Sequence, residues 1–482
     1  MQSLRATRIP RAAFLLPVLL ASACAAVPNL GPKPVASAES DYASTASLTG
    51  PQSAWPADGW WRRYGDAQLD QLMTEGLAGS PNLEAAAARF RRAQGLAQAA
   101  GAALLPSVNA TASATEQNPS QNNGLPVPTG WYSTGSVAGG ISLDLDLFGK
   151  NRAALRAAKK DAEAAEYDDD EARLALTTGI ASAYADLAAL YAQRDNLESA
   201  LDIRTQTLKL VQQRVTAGLD SDAELRQAEA RIPQTNADLA ATDEAIANEK
   251  HALAELVGAG PDRALSIARP IIASLQAQGI PANASIGLVG RRPDIAAARA
   301  RVEASGERIK QARAAFYPDI NLGALVGFQA IGLGNLFKSG SEFASAGPAV
   351  SLPLFEGGAL QGQYRGRRGE YDEAVALYNG QVIQALRETA DAVTSERMLA
   401  KRLAESRSAL AAYEDALRLA QLRYQHGLST YLDVLTAQES VVGARLAVAE
   451  LETRAFTLDV QLVRALGGGF NTPASTPGPQ AA

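Results

Sequence analysis

The feature that most limits how this chain can fold is that it is written twice. SPNLEAAAARFRRAQGLAQAAGAALLPSVNATAS (80–113) aligns with RPDIAAARARVEASGERIKQARAAFYPDINLGAL (292–325) at an offset of 212, setting Pro81 opposite Pro293 and Pro106 opposite Pro318. Two prolines 25 residues apart in both copies are hard to obtain by chance in a chain holding 23. Residues 144–158 match 351–365 at an offset of 207, fixed by Leu147–Phe148 against Leu354–Phe355. RVTAGLDSDAELRQAEA (214–230) then matches the stretch from Arg423 at an offset of 209, with Gly218 opposite Gly427 and Glu224 opposite Asp433. Such self-similarity marks a duplicated structural unit. The copies are placed at 51–258 and 292–466, with an inter-repeat segment at 259–291 that is expected to form a small layer with residues 50–75.

Each copy reads the same way. A helix opens on a proline in its first turn, where the missing N–H costs nothing, and ends before the next proline. Two strands follow, then a helix from about Asn151 to Val215 or from about Leu360 to His426. A glycine turn leads into a last helix, about Asp220 to Val257 or Thr430 to Leu466. A helix of about 65 residues is roughly 95 Å long, too long for an ordinary globular domain. Leu403, Leu410, Tyr413, Leu417, Ala420 and Tyr424 make a heptad seam, echoed by Leu201, Leu208, Val211 and Val215, so the long helices are expected to pack lengthwise. Charged residues at 20% and aromatics at only 6% suit that architecture. The two shorter helices of a copy together match the long one in length, as if stacked end to end beside it. Pro233 is expected to kink its helix.

The strands alternate. Val108, Ala110, Ala112 and Ala114 interleave with Asn109, Thr111, Ser113 and Thr115, and Ile141, Leu143, Leu145 and Leu147 with Ser142, Asp144 and Asp146. Period two means that one side meets lipid or a core and the other meets water, which places Asp144 and Asp146 on a lumen face. Residues 106–115, 140–148, 318–328 and 348–355 have the length of tilted membrane strands. Trp131, Tyr132, Phe337 and Phe343 sit where an interfacial girdle is expected. A membrane sheet must close, and single-chain barrels begin at about eight strands, so four strands require several chains to share one barrel. Two copies would give eight strands with a filled interior, and three would give twelve, wide enough for a passage.

The N-terminus carries Arg5, Arg8 and Arg11, an apolar run from Ala12 to about Leu20, and small residues up to Cys24. The run is shorter than the roughly 20 residues a bilayer needs, so residues 1–23 read as a signal peptide. Cys24, the sole cysteine, follows Ala21-Ser22-Ala23 in a stretch similar to a bacterial lipobox, although Ala21 stands where Leu is usual. Lipidation at Cys24 is the expectation, with plain cleavage and a free thiol as the alternative. Residues 24–50 form a tether and 467–482 a disordered tail. Loss of residues 1–23 with their three arginines takes the net charge from −6 to −9, which argues against nucleic-acid binding.

Nothing points to catalysis, a cofactor or a metal: His251 and His426 are the only histidines, and no nucleophile or ligand spacing appears. His426 fits a solvated helix end. Glu224 and Asp433 are first-turn carboxylates, which complement a helix N-terminus or, if several chains meet, crowd around an axis. Asp220 and Asp222 compete with Glu224 for the same place.

Four stretches, WPADGWWRRYGDAQLDQLM (55–73), RRPDIAAARARV (291–302), LPLFEGG (352–358) and RYQHGLSTYLDVLTAQ (423–438), occur in this order in a chain that resembles the outer membrane efflux proteins, the TolC-like channels, in their lipoprotein branch. The resemblance implies a mostly α fold with a membrane β-barrel: a homotrimer with a twelve-stranded barrel and a long α-helical tunnel in the periplasm. It implies an exit duct whose periplasmic tip is opened by an inner-membrane transporter and its adaptor, with the glycine turns at that tip. By position, Asp433 stands at the family's gating Asp and Tyr424 at a Tyr just before the turn. Thr436 replaces a second Asp and Ser429 an Arg found in some members. The competing reading is an exported coiled-coil lipoprotein that scaffolds the envelope without transport, which leaves four symmetric amphipathic strands unexplained.

Overall fold

The computed structural model describes residues 26–120, 122, 128–271, 279–281 and 284–471. The expected signal peptide and Cys24 lie outside the described residues. The helices and strands are α1 (Ala67–Gly79), α2 (Pro81–Ala102), β1 (Ser107–Gln117), β2 (Tyr132–Asp144), α3 (Lys150–Thr216) and α4 (Asp222–Leu256). After the inter-repeat segment come α5 (Pro293–Ala314), β3 (Asp319–Ile331), β4 (Glu342–Ser351), α6 (Ala359–Gln425) and α7 (Tyr431–Ala465). Helix lengths of 22, 67 and 35 residues occur in that order in both halves. The long helices follow from composition. In α3 one glycine and no proline interrupt 67 residues rich in alanine, the best helix former. Pro233 sits inside α4 without ending it.

The chain divides into two compact units, and α2, α3, α5 and α6 contribute residues to both. Of the described residues, the first unit holds 26–36 together with those of 89–165 and 298–378, and with them the sheet. Its strands pair antiparallel in the order β1-β2-β3-β4, so β2 and β3 join the two halves of the duplication. The register carries Val108, Ile141, Ala324 and Ala346 across one face and Asn109, Gly140, Leu325 and Ser345 across the other. Val108, Ile141, Leu322, Val326 and Val350 all lie on the first face, and all are exposed. Two strands begin earlier than the sequence reading of 140–148 and 348–355. Small Gly, Ala and Ser residues in YSTGSVAGGISLD and EFASAGPAVS hide their β character, which the ladder itself supplies. The C-terminal ends of those two readings, 145–148 and 352–355, are instead turns into α3 and α6. At the loop end of the sheet, Trp131 and Phe337 are exposed and the Phe328 and Phe337 rings lie 5.5 Å apart. At its helix end Phe148 stacks on Tyr317 at 4.8 Å, an aromatic pair the sequence reading missed.

The second unit holds residues 37–88, 166–297 and 379–482. Trp60, Trp61 and Tyr64 pack with Leu69, Leu72 and Met73 of α1, Ile180 and Tyr184 of α3, Leu253 of α4, and Phe456 and Val460 of α7. Residues 50–75 meet the inter-repeat segment through a bridge between Gln52 and Ile280 and an ion pair between Arg263 and Glu75 at 2.9 Å. Two joints tie the short helices end to end. Past α4, Gly258 (φ 76°) comes so close to the start of α2 that a Cβ there would lie 2.1 Å from the Gly79 carbonyl oxygen. Past α7, Gly467 (φ 85°) makes the same approach to α5, with 1.7 Å to the Arg291 carbonyl oxygen. Beside the second joint, buried Arg292 donates to Asp294 at 2.7 Å, to Glu388 at 2.8 Å and to the Ala465 carbonyl at 3.2 Å. The sequence reading began the disordered tail at 467, but Gly467–Phe470 is built into this unit, with the Phe470 ring edge-on to Tyr167.

The joints give a clear contrast. Gly467→Ala should destabilise by about 3 kcal/mol, because the turn needs positive φ and the carbonyl blocks a Cβ. Gly443→Ala, in open space within α7, should stabilise by about 0.5–1 kcal/mol. Thermal unfolding of the two variants in detergent, followed by helical circular dichroism, measures both.

Candidate functional site

The two glycine turns are built alike. Gly218 and Gly427 have φ of 73° and 71°, the left-handed region that glycine enters without strain. In the first, the Gly218 N–H bonds the Val215 carbonyl at 2.9 Å and the Leu219 N–H the Arg214 carbonyl at 2.8 Å. In the second, Gly427 bonds Tyr424 at 3.0 Å and Leu428 bonds Arg423 at 2.8 Å. Each pair is a Schellman cap that closes the long helix. Leu219 and Leu428, one residue past each glycine, are exposed.

The next helix opens on a capping box in both copies. The Ser221 N–H donates to Glu224 Oε2 at 2.9 Å, and its hydroxyl donates to the same oxygen. The Thr430 N–H and hydroxyl both donate to Asp433 Oδ2 at 2.9 Å. Glu224 and Asp433 thus hold helix N-termini, the first of the two roles their position allowed. The Thr430 backbone and hydroxyl bonds keep Asp433 below the usual carboxylate range, and the Ser221 hydroxyl and backbone do the same for Glu224. Asp433 is exposed, and so is Asp222 at the start of α4, which makes no hydrogen bond among the described residues. Thr436 bonds back to the Leu432 carbonyl at 2.9 Å.

What joins the two turns is a different set. The Arg214 guanidinium forks onto Asp220, with Nε donating to Oδ2 at 3.0 Å and Nη2 to Oδ1 at 3.1 Å, and its Nη1 donates to the Tyr424 carbonyl at 2.8 Å. The Tyr424 hydroxyl donates to Asp220 Oδ2, and the guanidinium carbon lies 4.4 Å from the centre of its ring. Asp220 and Tyr424 therefore meet, as the sequence grouped them, across the duplication. Arg214 was not singled out, although its place four residues before Gly218, opposite Arg423 before Gly427, was a readable signal. The copies have diverged: opposite Asp220 stands Ser429, whose hydroxyl is buried without a partner, and Arg423 reaches only the Leu428 carbonyl at 3.4 Å.

Burial alone would raise the Asp220 carboxyl, but the bonds from Arg214 and Tyr424 outweigh it and hold it below the usual range. Tyr424, buried and facing that carboxylate, is pushed up. Beneath the cluster Val211, Tyr424, Tyr431, Val434 and Leu435 form an apolar layer. A second polar layer follows, in which buried Arg204 donates to Glu439 at 2.9 Å and to Thr235 at 2.5 Å, and Gln438 donates to Thr207. Of the expected seam, Leu417 and Tyr424 are buried and Leu403 and Ala420 packed, but Tyr413 points outward.

Of the two aspartates expected in the barrel lumen, Asp144 pairs with Asn321 on the polar face of the sheet, whereas Asp146 leaves the strand. Asp144 ends β2 and accepts from Asn151 Nδ2 at 2.7 Å. Asp146 is off the strand, buried, with φ 44°. It accepts the Asn151 and Arg152 N–H groups at 2.8 and 2.9 Å and the Arg152 side chain at 3.0 Å. It caps the start of α3, because four orphan N–H groups there need an acceptor.

A sheet with one exposed apolar face and one polar face, carried on paired long helices whose turns are latched together, defines a membrane-channel component. The chain belongs to the outer membrane efflux protein family, whose profile matches residues 72–259 and 288–468. It is 32% identical over 432 residues to a multidrug resistance outer membrane protein, MdtP, of Shigella flexneri, covering 87% of this chain and 88% of that one. It is 30% identical over 418 residues to a pyoverdine export outer membrane protein, OpmQ, of Pseudomonas aeruginosa, covering 86% and 88%. The structure of the outer membrane protein VceC from Vibrio cholerae superposes with a TM-score of 0.82 at 45% identity, covering 86% of this chain and all of that one.

The Asp220 carboxyl fixes the pH response of the latch. Because its pKa is lowered in the folded state, the latch contributes in full above the ordinary carboxylate range and is lost as pH falls through the depressed value. Conductance in planar bilayers should stay flat from about pH 8 to 5 and rise only below about pH 4. Asp220→Asn should remove that rise.

Proposed function

We propose that the chain is the outer membrane exit duct of a tripartite efflux pump, working as a homotrimer with a twelve-stranded barrel. It conducts passively, without catalysis, what an inner-membrane transporter and a periplasmic adaptor deliver. The observation that carries the gate is the cross-repeat cluster of Arg214, Asp220 and Tyr424, which links the two helix turns of one chain. Separating those turns breaks two hydrogen bonds, Arg214 to the Tyr424 carbonyl and the Tyr424 hydroxyl to Asp220, and a cation–π contact at once, while the Arg214–Asp220 ion pair stays within the first turn. Asp433 and Glu224 act beside this cluster: each box uses one carboxylate oxygen, so three chains around an axis would still present their charge to the opening. The exposed Leu219 and Leu428 on the turns offer the adaptor an apolar contact. Relatives named for multidrug resistance and for pyoverdine export both align over most of this chain, which fits a duct whose cargo is chosen by the transporter. Cys24 carries the lipid that anchors the N-terminus to the outer membrane.

Two measurements test these assignments. Arg214→Ala with Tyr424→Phe should raise single-channel conductance several-fold, as loss of charge-assisted bonds worth about 1.5–3 kcal/mol each shifts the closed equilibrium. Asp433→Ala alone should weaken block by divalent cations while lowering stability by about 1 kcal/mol through the lost cap. Unaltered conductance in the double variant removes the cluster from the gate. Cys24→Ser should abolish incorporation of labelled palmitate, and equal labelling of the variant would reject the anchor.

A further inference from the structure

The charge of the first unit runs against that of the chain. Its helical stretches, 89–106, 149–165, 298–317 and 356–378, hold sixteen Lys and Arg against eight Asp and Glu, whereas the whole chain carries a net −6. These are the stretches that adjoin the strands: α3 begins six residues after β2 ends, and α5 ends five residues before β3 begins.

Within them a groove of about 470 Å³ is lined by Lys33, Arg156, Lys159, Lys160 and Lys310, with the Tyr371 ring as a wall and Gly306 in its lining. Two carboxylates share the lining and both are engaged: Glu307 by Arg156 at 2.7 Å and Lys310 at 2.6 Å, Glu303 by Lys160 at 2.8 Å. Lys159 has no acidic partner among the described residues. Lys33 is brought there by the N-terminal segment, which α6 grips: Arg368 donates to the Gly31 carbonyl at 3.3 Å and to that of Pro32, and the Tyr371 hydroxyl to Pro34 at 3.2 Å. The Lys33 ammonium then lies 5.3 Å from the centre of the Tyr371 ring. Burial, Lys310 and Arg368 lower its pKa, so the groove holds more positive charge than its own carboxylates balance.

We propose that this groove binds the headgroup of an anionic phospholipid from the leaflet that borders the helices. Lys159 lies about 14 Å along α3 from its start, so the site sits at the outer margin of a headgroup layer of roughly 5–7 Å, and the long lysine stems carry the ammonium groups toward it. Basic pockets beside membrane-spanning elements select anionic headgroups in this way. Arg156, Lys160 and Lys310, held by Glu307 and Glu303, frame the site, and Lys33 and Lys159 face the phosphate. The proposal rests on the reading that the strands span the membrane, and not on the gate.

The test is native mass spectrometry of the full chain in neutral detergent, mixed with equal amounts of phosphatidylglycerol and phosphatidylcholine. The assembly should retain phosphatidylglycerol over phosphatidylcholine by at least about five-fold, and the preference should weaken with added salt. Lys33→Gln, Lys159→Gln and Lys310→Gln together should reduce it to less than about two-fold, with assembly mass and conductance unchanged, and the three Lys→Arg changes should preserve it. Equal retention of both lipids, or a preference that survives the glutamines, overturns the site while leaving a conducting channel intact. Dissociation of the glutamine variant also overturns it, since the cluster would then be a contact between copies of the chain.

Discussion

The unpaired edges of a four-stranded sheet are the constraint on which the rest of this structure depends. β1 and β4 each pair on one side only, and the face carrying Val108, Ile141, Val326 and Val350 is apolar and exposed. In water such an edge invites aggregation, and in hydrocarbon each open N–H and C=O costs several kcal/mol. Pairing β4 of one chain with β1 of the next removes both problems. The duplication makes the solution economical, since each copy supplies one hairpin and the β2–β3 ladder joins the copies within the chain.

The sheet sets the helices a length problem. A 67-residue helix needs a neighbour along its whole length, and no single helix in the other half of a copy is that long. The chain meets this with two shorter pieces of 22 and 35 residues that abut at Gly258 or Gly467. Only glycine permits that approach, since a Cβ would overlap a carbonyl oxygen of the facing segment. At the second joint Arg292 adds a buried guanidinium, while its counterpart in the first copy is Ser80, also buried. The conserved geometry with different chemistry shows that the abutment, not the ion pair, is what both copies require.

Much of this was legible because the pattern was duplicated. Two prolines 25 residues apart and glycines at a fixed offset located the helices within a residue or two, and the summed lengths anticipated the stacking. The strands were harder. Leucine alternation drew β2 and β4 toward the helices, while the true strands are made of small residues that acquire β structure only through their partners. Asp146 was misplaced for the same reason: in a run of alternating leucines it reads as a strand residue, yet it caps α3. The heptad seam predicted burial for Tyr413, but its ring stays exposed in the single chain.

At the helix turns, symmetry breaking was the informative signal. Had both copies kept Arg and Asp, each turn could have formed its own Arg–Asp pair. Instead the first copy retains Arg214 and Asp220, the second offers Ser429 in place of the carboxylate, and Tyr424 closes the set from across the duplication. Ten residues further along α3, or about 15 Å, Arg204 repeats the device with Glu439. Between the polar layers lie Val211, Tyr431 and Val434, which become wet if the turns part. Closure is thus favoured by apolar burial and fixed in register by charge. A partner that opens the turns must therefore supply the difference through its own contacts, about 5.5 kcal/mol to carry a 99:1 closed equilibrium to 1:99. In the gate proposed above, a duct that closes by default needs such a partner, and the diverged turns are where it would act.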